Sequence, residues 1–308
     1  MAATQTPARN SSRWQGIFTI PVTPFDDDGE LDLDSLRRQL DFCLEAGAHG
    51  IVHPVMASEW FTLTDQERLR LLPLVAGHIA GRVPFVAGVS GVSVSAARYF
   101  AAAARDAGAD AVIAMPPVLA KLPPAELLRY YEAISATAQL PVCIQNAPVA
   151  PINPDLVSRL VREVAHVHYV KEEVEPAHHN IRRRLEVGDA KVWGVFGGAG
   201  GQNFIDELER GASGTMPAPH FTDVLRRIYD LYAAGEQAAA RTLHMRLMPG
   251  LQRERLSGVP FDKEVLVRRG VIRSARNRGA GTALDAYDYK ELDALWPHLE
   301  TLFTWESS

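Results

Sequence analysis

Eight times along this chain a short apolar run gives way to a longer segment of helical period, and few folds accommodate that repetition. The β-branched or apolar runs are residues 17–22, 50–55, 85–89, 111–115, 142–145, 167–170, 192–196 and 213–216. Strands alternating with helices are the mark of βα units on a parallel sheet, whose strands read as continuous apolar runs because both faces are covered. Helix starts are signalled between them by Asp32 and Asp34 ahead of Leu36, Thr64 followed by Glu67, Ser93, Pro123-Pro124 and Asn153-Pro154. Helix ends are signalled by Gly47, Gly81, Gly108 and Gly211, where a left-handed closing residue is needed.

Eight units predict an α/β chain folded as a closed (β/α)8 TIM barrel. An open dinucleotide-binding sheet would need its glycine turn early, and the only dense one, at 197–201, comes late. Beyond the last run, residues 224–234, 237–248 and 289–303 have helical spacing. The division expected is a disordered tail over 1–13, the barrel over 14–222 and a C-terminal helical extension over 223–308.

Net charge is −5 with 47% hydrophobic and 22% charged residues, so nothing draws the chain to nucleic acid or an anionic surface. The cluster Arg182-Arg183-Arg184 reads as a solvated helix face. Cys43 and Cys143 are far apart with no histidine or second cysteine at ligand spacing. The tail lacks the apolar core of a secretion signal, and apolar stretches such as 111–120 are broken by prolines short of a membrane span. A cytoplasmic protein with reduced cysteines is expected, with no membrane segment, cofactor or metal. His178 and His179 adjoin and face different ways, while His53, His168 and His220 read as structural or surface residues.

Barrel sites are built where strands deliver their carboxyl ends, and the sixth run ends at Lys171. A primary amine pointing into an enclosed mouth can condense with a ketone to an imine, which draws electrons from adjacent carbons. Glu173, two residues on, falls on the same face if alternation continues, and is a candidate proton carrier. Gln145 and Asn146 end the fifth run and can orient a hydroxylated substrate, or satisfy a turn. Ala57, Ser58 and Glu59 leave the second run. Ser58 with nearby amides can hold a carboxylate, while Glu59 can instead fix its own loop. Gly197 and Gly198 can cradle an anion or allow close packing.

Residues 16–25 (GIFTIPVTPF), Ser58-Glu59 and Tyr169-Val170-Lys171-Glu172 resemble the dihydrodipicolinate synthase and N-acetylneuraminate lyase superfamily of Schiff-base barrel enzymes, over nearly the whole chain. The resemblance implies that Lys171 forms the imine, that the substrate is a small 2-oxo acid, and that the chain is a homo-oligomer, a tetramer or dimer. Three departures stand out. Val55-Met56-Ala57-Ser58-Glu59 lacks the family's usual hydroxyl pair, Gln145 stands where a catalytic tyrosine is usual, and Ala150 replaces the arginine that usually follows it in the synthases. With Ser257-Gly258 and Lys263, the pattern is more similar to the 2-keto-3-deoxy-arabonate dehydratase branch. Dehydration of a 2-keto-3-deoxy sugar acid is therefore expected. The alternatives are retro-aldol release of pyruvate from a 4-hydroxy-2-oxo acid, or a noncatalytic barrel that binds 2-oxo acids. The proton carrier is expected to be Glu173 or a water held by Gln145 and Ser58.

Overall fold

In a computed structural model, which describes residues 13–119, 121–186, 191–279 and 282–305, the eight apolar runs become eight parallel strands. Of the tail expected over 1–13, all but Arg13 lies outside the described residues. The strands are β1 (Gly16–Thr19), β2 (Gly50–His53), β3 (Phe85–Gly88), β4 (Ala111–Ala114), β5 (Val142–Asn146), β6 (Val167–Glu172), β7 (Gly194–Gly197) and β8 (Gly214–Thr215). Each pairs with its neighbour in sequence, and β8 pairs back to β1, closing the barrel.

Helices α1 (Leu33–Glu45), α2 (Asp65–Ile79), α3 (Val94–Asp106), α4 (Pro124–Ala138), α5 (Pro154–Glu163), α6 (Ala177–Glu186), α7 (Phe204–Glu209) and α8 (Thr222–Ala233) follow the strands in turn. The caps do what their residue types predict. Asp32, Ser93 and Asn153 accept from first-turn amides, and Thr64 with Glu67 forms a reciprocal capping box. Alternate strand residues serve two cores. Phe18, Val52, Val86, Ile113, Cys143, Tyr169 and Phe196 fill the barrel, while Ile51, Ala87, Val112, Ile144, Val170 and Val195 pack under the helices.

Strand six runs two residues past the expected 170. The Glu173 amide donates to Asn146 O at 2.9 Å, so the extended path continues beyond Lys171. This keeps Glu173 on the lysine's side. Arg184 departs from the expectation of a solvated face: it is buried and pairs with buried Glu172, whereas Arg182 and Arg183 stay at the surface. A lone apolar-facing arginine on α6 needs a carboxylate from the sheet, which local sequence does not display.

Because α8 packs on β1, it completes the eighth unit. The appended helices therefore begin at Gln237, with α9 (Gln237–Ser257), α10 (Val259–Arg268) and α11 (Ala286–Glu300). Pro249-Gly250 reads as a stop near 248, yet α9 continues two more turns through it. The reason is tertiary packing. A Cβ on Gly250 would lie 2.9 Å from Phe221 and 3.0 Å from Leu299, so glycine lets α9 sit close against both. α10 has no counterpart among the expected helices.

Gly88 marks another close approach, since a Cβ there would lie 1.7 Å from the Pro54 carbonyl oxygen. Gly88→Ala is expected to cost at least about 1–3 kcal/mol, the scale of overpacking. A urea midpoint equal to the parent's would contradict that.

Candidate active site

Side chains alternate along a strand, so register decides which site residues can meet. Gln145 and Lys171 are register partners on β5 and β6, and both point into the barrel mouth. Lys171 is 4% exposed. Its Nζ lies 3.0 Å from Glu173 Oε1, whose other oxygen accepts from Gln145 Nε2 at 3.3 Å. The Ala199 amide also donates to Glu173 Oε1, at 3.3 Å. Lys171, Glu173 and Gln145 thus form one polar group, joined by an ion pair and a hydrogen bond. Cys143, one layer below, is kept as a neutral thiol because burial pushes it up to about 12.

Lys171 and Glu173 line a cleft of about 570 Å³ at the carboxyl ends of the strands, with Ile20, Ala57, Gly200, Met216 and Glu254 among its walls, and Gln145 lies buried behind Glu173. The size suits a small organic acid. A larger hollow of about 710 Å³ opens at the opposite end among Trp14, Phe18, Tyr169 and Trp193. Among the described residues no lysine lines it, whereas Lys171 stands in the smaller cleft.

Other expected site residues lie elsewhere. Asn146 follows Gln145 on the strand and therefore faces outward, where it donates to Glu172 at 2.8 Å and accepts from the Ile152 amide at 2.8 Å. It orients the loop after β5, not a substrate. Gly197 also faces outward, and a Cβ there would collide with the Glu207 carboxylate. Gly198 stays beside the site: a Cβ would lie 2.4 Å from Glu173 Oε1, so glycine gives that carboxylate its room.

Ser58 is fully buried and its hydroxyl donates to the Pro21 carbonyl at 2.7 Å. That leaves it anchoring the turn behind Ala57. Glu59 is buried in a left-handed conformation, accepting from Lys263 Nζ at 3.0 Å and from the Arg278 amide at 3.3 Å. It faces α10 instead of the cleft, because its carboxylate has a buried ammonium to neutralise. Lys263 also donates to the Arg276 carbonyl at 2.7 Å, so the pair ties the extension to the loop after β2.

Two acids that the sequence reading did not single out, Glu254 and Asp262, border the cleft, and the buried ring of His220 stands between them. His220 follows β8, Glu254 comes from α9, and Asp262 from α10. The His220 ring stands 3.7 Å from a carboxyl oxygen of each acid. A signal for Glu254 was present: Leu247, Leu251 and Glu254 fall on one helical stripe, and an acid on an apolar stripe is unusual. The helical run expected over 237–248 ends short of it. Of the other histidines, His53 is buried near Thr23 and His168 stacks on Trp193. Cys43 and Cys143 are buried and unpaired. Among the described residues no helix is long and apolar enough to cross a membrane.

Residues 13–295 match the model of the dihydrodipicolinate synthetase family. The chain is 31% identical over 308 residues to an L-2-keto-3-deoxyarabonate dehydratase of Azospirillum brasilense, covering 98% of each protein. It is 30% identical to a 4-hydroxy-tetrahydrodipicolinate synthase of Maridesulfovibrio salexigens, over 77% of this chain and 81% of that one. The crystal structure of a dihydrodipicolinate synthase from Rhodopseudomonas palustris superposes with a TM-score of 0.85 at 27% identity, covering 92% of this chain and 97% of that one. Barrel, cleft and matched span agree, and this chain belongs to the dihydrodipicolinate synthetase family, whose members include lyases.

Proposed function

We propose that the protein is a Schiff-base lyase that dehydrates a 2-keto-3-deoxy sugar acid, with Lys171 as nucleophile and Glu173 as base. The observation that carries this reading is the 3.0 Å contact between Lys171 Nζ and Glu173 Oε1 inside the cleft. The named dehydratase among its relatives supports the choice of substrate class.

Glu173 takes a proton from the lysine ammonium, and the freed amine adds to the substrate's C2. The C2 oxygen leaves as water carrying that proton, giving the iminium. The regenerated Glu173 carboxylate then removes a proton from C3, and the C–H electrons form the C2–C3 double bond of an enamine. The nitrogen lone pair drives those electrons into C3–C4 as the C4–O bond breaks. Gln145 holds Glu173 in place through its amide. Lacking a dissociable proton, it cannot do what a tyrosine does for a 4-hydroxyl in carbon–carbon cleavage. That favours dehydration over retro-aldol release.

Ala57 lies on the cleft wall, and its backbone is the proposed contact for the substrate carboxylate. A homo-oligomer, dimer or tetramer, belongs to the same reading, and light scattering of the purified protein measures it.

Borohydride reduction in the presence of pyruvate or a 2-keto-3-deoxy sugar acid is expected to leave a mass adduct on the peptide holding Lys171. No adduct with any 2-oxo acid, from folded protein, would refute the imine. Product analysis separates the chemistries, since released pyruvate would establish retro-aldol cleavage. Glu173→Gln is expected to lower turnover roughly 10²–10⁴-fold, the range for a lost general base. Unchanged turnover would remove Glu173 from proton transfer.

A further inference from the structure

Elimination of a hydroxyl asks for two proton transfers, and the group described so far supplies one. Hydroxide is a poor leaving group, so an acid near C4 speeds its departure. Glu173 enters that step already committed to the C3 proton.

We infer that Glu254 is this acid: resting on the lyase reading above, it protonates the departing C4 hydroxyl from the wall facing Lys171. The geometry is specific. Glu254 borders the same cleft as Lys171, with its side chain 13% exposed. Its carboxyl approaches the loop after β7 so closely that a Cβ on Gly200 would lie 2.3 Å from Oε2. A side chain there would push the carboxyl aside.

The surroundings of Glu254 are buried and polar. Glu254 Oε2, Asp262 Oδ1 and both ring nitrogens of His220 are buried without a hydrogen-bond partner. His220 is 1% exposed and Asp262 3%. The four atoms face one another in two pairs 3.7 Å apart, His220 Nε2 with Glu254 Oε2 and Nδ1 with Asp262 Oδ1, so the buried ring stands between the two acids at the edge of the cleft. Burial pushes the Glu254 carboxyl up to about 8 against the pull of the Lys171 charge, and pushes His220 down to about 3. Glu254 therefore carries a proton to give at neutral pH, and His220 is a neutral ring.

The step balances as follows. The C4–O bond breaks with both electrons on oxygen, that oxygen takes the Glu254 proton and leaves as water, and Glu254 is left as carboxylate. The enamine electrons form the C3–C4 double bond as the iminium returns.

His220, Glu254 and Asp262 also offer ligand atoms within 4.8 Å of one another, the spacing of a metal cage. The two nitrogens of His220 face different acids, though, so one ion cannot use both contacts. The nearby lysine also opposes a cation.

The test compares wild type with Glu254→Gln in three readouts: the borohydride adduct with pyruvate, deuterium exchange into the pyruvate methyl group in heavy water, and dehydration of L-2-keto-3-deoxyarabonate. The variant is expected to trap and exchange within about threefold of wild type, because neither step needs an acid at C4, while dehydration falls roughly 10²–10⁴-fold. Trapping and exchange also verify that the variant is folded. Dehydration within about threefold of wild type would overturn the inference and leave Glu173 to serve both protons. Equal loss of exchange and dehydration would overturn it too, placing Glu254 at the imine or C3 steps. So would activity abolished by a chelator and restored by zinc or manganese. Failure of wild type to trap, by contrast, sinks the lyase reading itself.

Discussion

Lys171→Ala is expected to eliminate the trapped adduct and to lower turnover by on the order of 10⁴-fold or more, the scale seen when a covalent nucleophile is removed. The cause is chemical, since among the described residues no other amine borders the cleft. Lys171→Arg tests whether charge alone suffices. It keeps a cation beside Glu173 and cannot form the imine, so it is expected to be as inactive as the alanine variant. An arginine variant retaining a tenth or more of the activity would mean that Lys171 acts as an electrostatic partner, and the covalent mechanism would fall. Neither variant is expected to unfold the protein, because Glu173 keeps its bonds to Gln145 and Ala199.

The largest loss of stability is expected from Asp223→Ala. Asp223 is buried on α8 and accepts from Arg269 Nη1 at 2.9 Å and Nη2 at 2.8 Å. It also accepts from the amides of Thr304 at 2.8 Å and Trp305 at 3.1 Å. Arg269 in turn lies 4.0 Å over the Phe303 ring and donates to the His220 carbonyl at 2.6 Å. Removing the carboxylate strands a buried guanidinium and two amides, which costs about 3–5 kcal/mol.

Burial raises the Asp223 carboxyl, but the hydrogen bonds and charge of Arg269, with the two amides, outweigh it and leave it below the usual range. Its folded value lies under its unfolded one, so its contribution is present in full above the ordinary carboxylate range. It is lost as pH falls through the folded value. The gap in urea midpoint between wild type and Asp223→Ala should therefore be constant between about pH 6 and 7 and narrow below about pH 4. A gap that widened on acidification would contradict this assignment.

The barrel was legible because each strand carries its own apolar signal and the first five helices carry their own start residues, both local properties. Lys171 was legible for the same reason, as the polar end of an apolar run. What escaped reading depends on partners far along the chain. Glu59 is paired with Lys263 across 204 positions, and nothing near Glu59 reveals whether it faces substrate or an ammonium. Arg184 looked like its exposed neighbours Arg182 and Arg183 until the sheet supplied Glu172. Gln145 and Asn146 were read as equals, although a single strand can turn only one of two adjacent residues inward. Glu254 was missed because Pro249 is a strong helix breaker locally, and the packing of Gly250 against Phe221 and Leu299 is visible only in three dimensions.

Helix α9, carried past its proline, also gives the cleft two walls of different build. The wall holding Lys171 is woven into the sheet, where a change in one strand disturbs the pairing of its neighbours. The wall holding Glu254 belongs to appended helices fastened to the barrel by charge pairs such as Glu59 with Lys263. A change in those helices can reshape that wall while the strand pairing that holds Lys171 stays as it is.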